Sequence, residues 1–167
     1  PPVENYFTTP GVGFYNDLWV ITVDGKKAWQ PTNLSVNELT SVLHPQFSYD
    51  GSKLLWAETL YRSEMAIKIA DFIVDKGEIY LKSVTTYQPG SIHIFYETHG
   101  FSPDDKKIVF TASIDAEYWT GMDIYTLKLE TLKLERLTNT PEEWDEHAHY
   151  SPDGKKNCMG IKPWLLF

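Results

Sequence analysis

The chain has 167 residues and a formal net charge of −8, with no lysine or arginine run longer than two residues, so it lacks the basic footprint that a phosphate backbone requires and nucleic acid is not an expected partner. No apolar stretch reaches the roughly 18–20 residues of a membrane span, and one cysteine, Cys158, excludes an intramolecular disulfide without placing the protein in a reducing or an oxidising compartment. Six Trp, ten Tyr and eight Phe, with frequent Val, Ile and Thr, favour pleated, half-buried strands and predict an all-β fold.

The chain opens Pro1-Pro2-Val3-Glu4 with neither an initiator Met nor a charged-then-apolar leader, the pattern of a processed or excised segment. Residues 6–10 fit a second strand of a first unit, 17–23 its third strand and 26–30 its fourth. A hairpin follows, with strands near 44–48 and 53–58 around Phe47-Ser48-Tyr49-Asp50-Gly51-Ser52-Lys53, then strands near 65–70 and 78–84. The same order recurs at 98–102, 107–113, 122–129 and 133–138, around Phe101-Ser102-Pro103-Asp104-Asp105-Lys106-Lys107. A last hairpin, 147–151 and 155–160, turns at Tyr150-Ser151-Pro152-Asp153-Gly154-Lys155-Lys156. In each turn Pro presets φ, Asp bonds its own backbone and Gly supplies positive φ.

The turn copies are separated by 54 residues (Phe47 to Phe101) and 49 residues (Phe101 to Tyr150), a period that signals a propeller or solenoid. Asp17-Leu18-Trp19 aligns without a gap on Asp123-Ile124-Tyr125, and the same offset carries Gln30-Pro31-Thr32-Asn33 onto Arg136-Leu137-Thr138-Asn139. Four strands per period make one propeller blade. The expected organisation is a single segment with a partial blade at 1–38, blades at 39–90 and 91–141, and a partial blade at 142–167. This β-propeller of four-stranded antiparallel blades holds about three to three and a half blades, whereas a ring of four or more needs roughly 200 residues or more. It is therefore expected to be incomplete. The segment after Lys156 departs from the strand pattern, and its apolar tail points to truncation or to packing on a partner, including a second copy of the chain that would complete the ring.

The hairpin Phe101–Phe110, the Asp123-Ile124-Tyr125 strand and the Arg136-Leu137-Thr138 close resemble the WD40-like (PD40) repeat of the TolB carboxyl-terminal propeller, which is also found in prolyl-oligopeptidase-type enzymes. The departures are Tyr49 where the family has Pro, Asp105 where it has Gly, and the segment after Lys156. The resemblance implies a non-catalytic, bacterial propeller module, periplasmic or extracellular, that binds a protein partner or a small ligand at its channel mouth. Two alternatives share the fold: a metal-dependent carbohydrate-active enzyme similar to oligogalacturonate lyases, and the accessory propeller of a peptidase. Fold alone does not choose among them.

In propellers of this type the strand before each turn lies beside the central channel, which brings His44, His99, His147 and His149 towards one mouth. His147 and His149, at i and i+2 of a strand, would share a face and would bind one divalent ion in the enzyme reading, with Glu97, Asp145 and Glu146 to complete the set. Otherwise no cofactor is expected. In regular strands His99, two residues before its aromatic, faces away from His44 and His147, which stand three before theirs. Asp50, Asp104 and Asp153 recur as turn formers rather than as catalytic carboxylates. Trp56, Phe110, Trp19 and Tyr125 fall at sheet-packing positions. Trp119 and Trp144, the latter beside Glu146, fall in segments that read as loops, where they would bind a ligand or a partner or pin the loop to the rim. No Gly-x-Ser-x-Gly elbow and no phosphate-cradling glycine loop occurs.

Overall fold

The computed structural model describes residues 16–34, 40–60, 64–90, 94–116, 121–140 and 143–163. Every regular element among them is a strand: β1 (Val20–Ile21), β2 (Ala28–Trp29), β3 (Ser41–Phe47), β4 (Lys53–Thr59), β5 (Met65–Asp75), β6 (Glu78–Tyr87), β7 (Tyr96–Phe101), β8 (Lys107–Ala112), β9 (Asp123–Lys128), β10 (Lys133–Arg136), β11 (Glu143–Tyr150) and β12 (Asn157–Pro163). They form two four-stranded antiparallel sheets, β3-β4-β5-β6 and β7-β8-β9-β10, flanked by the two-stranded sheets β1-β2 and β11-β12. The chain is all-β and built as propeller blades.

The Ser-led turns form for the reason their residues indicate. Ser48 Oγ donates to Asp50 Oδ1 (2.8 Å) and accepts from the Lys53 amide (2.9 Å), while Asp50 Oδ1 accepts from the Ser52 amide (2.8 Å). Ser102 and Asp104 repeat the pattern, as do Ser151 and Asp153. Gly51 and Gly154 take the left-handed position of the turn, at φ 71° and 69°. Asp105 takes it in the middle copy at φ 55°, a conformation that Asp tolerates better than most residues. Its carboxylate also receives the Tyr49 and Asp50 amides, at 2.7 and 3.0 Å, from the neighbouring blade. A further copy of the turn, Thr22-Val23-Asp24-Gly25-Lys26-Lys27, joins β1 to β2 with the same hydroxyl-to-Asp bond.

The repeated Asp…Thr pair is a clamp between third and fourth strands. Thr138 Oγ1 accepts from the Ile124 amide (2.9 Å) and donates to Asp123 Oδ1 (3.1 Å), which also accepts from the Thr140 amide (3.0 Å). In the first sheet Thr32 accepts from the Leu18 amide and donates to Asp17, both at 2.9 Å, and Asp17 accepts from the Leu34 amide. The departures from strict identity, Gln30 against Arg136, both still reach the Asp carboxylate.

Alternation along each strand sends side chains to both faces, and both faces of the central sheets are covered. Leu54 and Trp56 of β4 pack with Leu18 against the first sheet, whereas Leu55 and Ala57 join Ile108, Phe110 and Tyr125 in the largest core, between the two four-stranded sheets. Val109 and Ile124 face the other way, onto Ala148 of β11. Trp56, Phe110 and Tyr125 are buried as core residues, but Trp19 is 62% exposed. Its partner in the repeat, Tyr125, faces the preceding sheet; among the described residues no sheet precedes β1-β2, so the Trp19 face stays open.

Two further expectations change. Trp144 and Glu146 lie in β11 and not in a loop: β11 pairs with β12 from Glu143 to Tyr150, and Trp144 bridges Met122 in parallel, with the Asp145 amide donating to the Met122 carbonyl at 2.9 Å. The segment after Lys156 is likewise the regular strand β12 through residue 163, since β11 offers it a full antiparallel edge. Residues 164–167 lie outside the described residues.

Candidate functional site at the inner strands

The strands β3, β7 and β11 are the edges of their sheets and meet one another. Thr98 Oγ1 of β7 donates to the His44 carbonyl of β3 (2.9 Å), and the His147 amide of β11 donates to His99 Nε2 of β7 (3.2 Å). Each of these strands carries a β-bulge just before its turn. His44 and Pro45 together oppose one residue, since Leu43 pairs with Ala57 and Gln46 with Leu55. His147 and Ala148 do the same between Glu146↔Gly160 and His149↔Cys158. In β7 the extra residue is His99 itself, between Thr98↔Phe110 and Gly100↔Val109. A bulge re-aims its side chains and kinks the strand. The backbone reflects it, with φ 49° at His44 and 59° at His147, and φ 140° at Gly100.

The bulges overturn the expectation that His99 faces away. Its ring lies 6.3 Å from His44, 5.7 Å from His147, on which it stacks, and 6.1 Å from His149; His44 and His147 are 6.2 Å apart. One imidazole cluster spans three blades. His99 is buried, and burial pushes its pKa down to about 4, so at neutral pH the ring is uncharged. A backbone amide can only donate, so the His147 N–H requires a lone pair on His99 Nε2 and places the ring proton on Nδ1. The single Thr111 hydroxyl proton then has two acceptors within reach, the same nitrogen at 2.7 Å and the Asp145 carbonyl at 3.0 Å.

Beside this cluster lie carboxylates. Glu97, 4% exposed, sits in β7 with Oε1 2.9 Å from His44 Nδ1. That bond, opposed by burial and helped by the charges of Glu97 and Glu146, raises the His44 pKa. Burial alone would raise Glu97, but the His44 hydrogen bond and the nearby imidazoles outweigh it and hold the carboxyl below its ordinary value. Glu146 Oε1 is 3.5 Å from His147 Nδ1. Donor atoms of Glu97, Glu146 and His147 all lie within 4.8 Å of one another. This set, and not His147 with His149, is the one whose donors converge among the described residues.

Asp145 stands apart from it: fully buried, its Oδ2 accepts from Thr140 Oγ1 at 2.7 Å while Oδ1 has no partner among the described residues. Trp144 is half-buried with its ring 6.4 Å from Phe95, and its Nε1 likewise has no partner among the described residues. Trp119 lies outside the described residues.

On the turn side, His99 and His149 border a cavity of about 280 Å³ that is also lined by Phe47, Tyr49, Phe101 and Tyr150. Phe47 and Tyr49 are half or more exposed there. These aromatics were legible only as repeat markers. Their signal was positional, because each lies one to five residues from a channel histidine and the repeat brings all of them to one edge.

No known protein-family profile matches the chain. In sequence it is 24% identical, over 138 residues, to the Tol-Pal system protein TolB of two Francisella tularensis subsp. holarctica strains, OSU18 and LVS, covering 77% of this chain and 30% of each relative. Its repeat is TolB-like. The chain thus spans about a third of the length of those curated relatives. A solved structure from Agrobacterium tumefaciens described as a TolB aligns over 82% of this chain and 58% of that one, at 18% identity and a TM-score of 0.38. Among the described residues no helix is long and apolar enough to cross a membrane.

Proposed function

We propose that this TolB-like repeat segment is a non-catalytic binding module that holds a segment of a partner protein at the edge formed by β3, β7 and β11, and that it works in a bacterial envelope compartment. The observation that carries the reading is the cavity of about 280 Å³ beside the histidine cluster. Exposed aromatic rings with adjacent imidazoles are the equipment of a protein-recognition surface, where flat side chains supply area at low entropy and polar atoms orient the ligand. The TolB similarity supports the same reading, since the relatives are named as Tol-Pal system proteins.

The test is positional. A photo-crosslinking phenylalanine analogue in place of Tyr49, in the full-length protein in its own cells, should yield a discrete adduct whose second protein is identified by mass spectrometry. The same analogue in place of Tyr80, exposed on β6 away from the cavity, should yield none. Equal labelling at the two positions, or none at Tyr49, would overturn the proposal.

A further inference from the structure

We infer that Glu97, Glu146 and His147 bind one divalent transition-metal ion, of the Zn²⁺ or Mn²⁺ kind, where β7 meets β11. This goes beyond the partner-binding reading and does not rest on it. Two carboxylates and an imidazole form a mixed donor set: the imidazole suits transition ions, and the carboxylates suit Mn²⁺ as well as Zn²⁺. Their donor atoms lie within 4.8 Å of one another. Around a tetrahedral Zn²⁺ such donors stand about 3.4 Å apart, so closure takes movements of about an ångström. Half-buried Glu146 and exposed His147 have that freedom.

The third donor is already held. Glu97 is buried, and His44 fixes its carboxylate through the 2.9 Å contact to Nδ1, the kind of outer hydrogen bond that orients a metal ligand. Among the described residues no lysine or arginine pairs with Glu97 or Glu146; their ionic contacts are His44 and His147. Two carboxylates drawn together without a fixed cation are a site that a divalent ion would stabilise.

The bulges aim these side chains: His147 and His44 stand at the bulged positions of β11 and β3, with φ values of 59° and 49°, and a bulge redirects the side chains it carries. Both occupy the same position of the repeat. One is a ligand and the other holds a ligand. The bulge at His147 and Ala148 also breaks the i, i+2 relation that would have paired His147 with His149, and His149 lines the aromatic cavity instead.

The full chain, freed of metal by chelation and dialysis, is to be titrated calorimetrically with Zn²⁺, with Mn²⁺ and with Mg²⁺ as the hard-ion control, and bound metal counted by elemental analysis. Zn²⁺ or Mn²⁺ should bind at one ion per chain and more tightly than Mg²⁺. Affinity should fall at least about tenfold in His147→Gly, which keeps the left-handed backbone, and in Glu97→Gln, and about tenfold in His44→Ala, the range for loss of an outer-shell partner. His149→Ala should retain it. Circular dichroism checks folding; where Glu97→Gln does not fold, surface-proximal Glu146→Gln provides the same readout. No binding of Zn²⁺ or Mn²⁺ to the folded chain would overturn the inference. So would binding that survives both His147→Gly and the glutamate variant, or that is lost only in His149→Ala. Because partner capture is read by crosslinking at Tyr49, failure of either reading leaves the other standing.

Discussion

Tyr125 and Trp19 occupy the same position of the repeat, 106 residues apart, yet Tyr125 is 1% exposed and Trp19 is 62% exposed. The strands around them are closed alike, since Asp123 and Asp17 each clamp a fourth-strand threonine. What differs is the neighbour. Tyr125 packs into the core between the two four-stranded sheets, whereas Leu18 covers only one face of β1-β2. A blade's local hydrogen bonds are therefore its own, but its packing energy belongs to the interfaces on either side.

Truncation should separate these contributions most widely. Phe110→Ala is expected to lose about 3–5 kcal/mol and Tyr125→Ala a similar amount, from lost burial plus the cavity left behind, while Trp19→Ala should stay within about 0.5 kcal/mol, as at ordinary surface sites. Urea unfolding of the three variants measures this, and a large loss at Trp19 would show that its face is covered in solution.

The inner strand of the enclosed sheet makes the next prediction. His99 has a folded pKa of about 4 against 6.5 for the free side chain, because burial disfavours its charged form. Glu97 opposes that shift, and His44, His147 and His149, facing it from β3 and β11, add to it. The unfolded chain thus takes up the proton first: the stability His99 contributes is whole above pH 6.5 and declines as pH falls from 6.5 towards 4, by up to about 3 kcal/mol. In chelator-treated protein, His99→Gln should flatten that part of the stability-against-pH curve; an unchanged slope would locate the loss in another group.

The clamps should separate by a smaller amount. Asp123 is 1% exposed and receives Thr138, Thr140 and Arg136, so Asp123→Ala removes three hydrogen bonds from half-buried donors, one of them a cation, and should cost about 2–3 kcal/mol. Asp17→Ala, half-buried with solvent at hand, should cost about 1 kcal/mol. Equal losses at the two sites would mean that burial does not set the strength of the clamp. The smallest effect belongs to Asp105→Gly: it gives up two hydrogen bonds to the neighbouring turn and relieves a φ of 55°. These terms oppose each other, and the net change in unfolding free energy should fall within about 1 kcal/mol.

Local chemistry was readable without coordinates wherever one short segment satisfies itself. Ser48 with Asp50, and Asp123 with Thr138, make their bonds within one turn or one strand pair, so residue type and spacing carried the information. The candidate site was readable only in part. Its histidines and Glu97 were visible, but the direction of His99 was not, because a bulge changes which way a side chain points and no strand's own residues announced one. Trp144 and Glu146 read as loop residues amid acids and Pro141, and only pairing with β12 and the bridge to Met122 makes them strand.

The amino-acid sequence by itself determined the repeat, the four-stranded blade and the turns and clamps that build it, since each depends on hydrogen bonds between residues a few positions or one hairpin apart. Only the tertiary structure decided which faces are covered, where the strands bulge and which donors converge. Those depend on how neighbouring sheets stack, and equivalent residues such as Trp19 and Tyr125 meet different neighbours there.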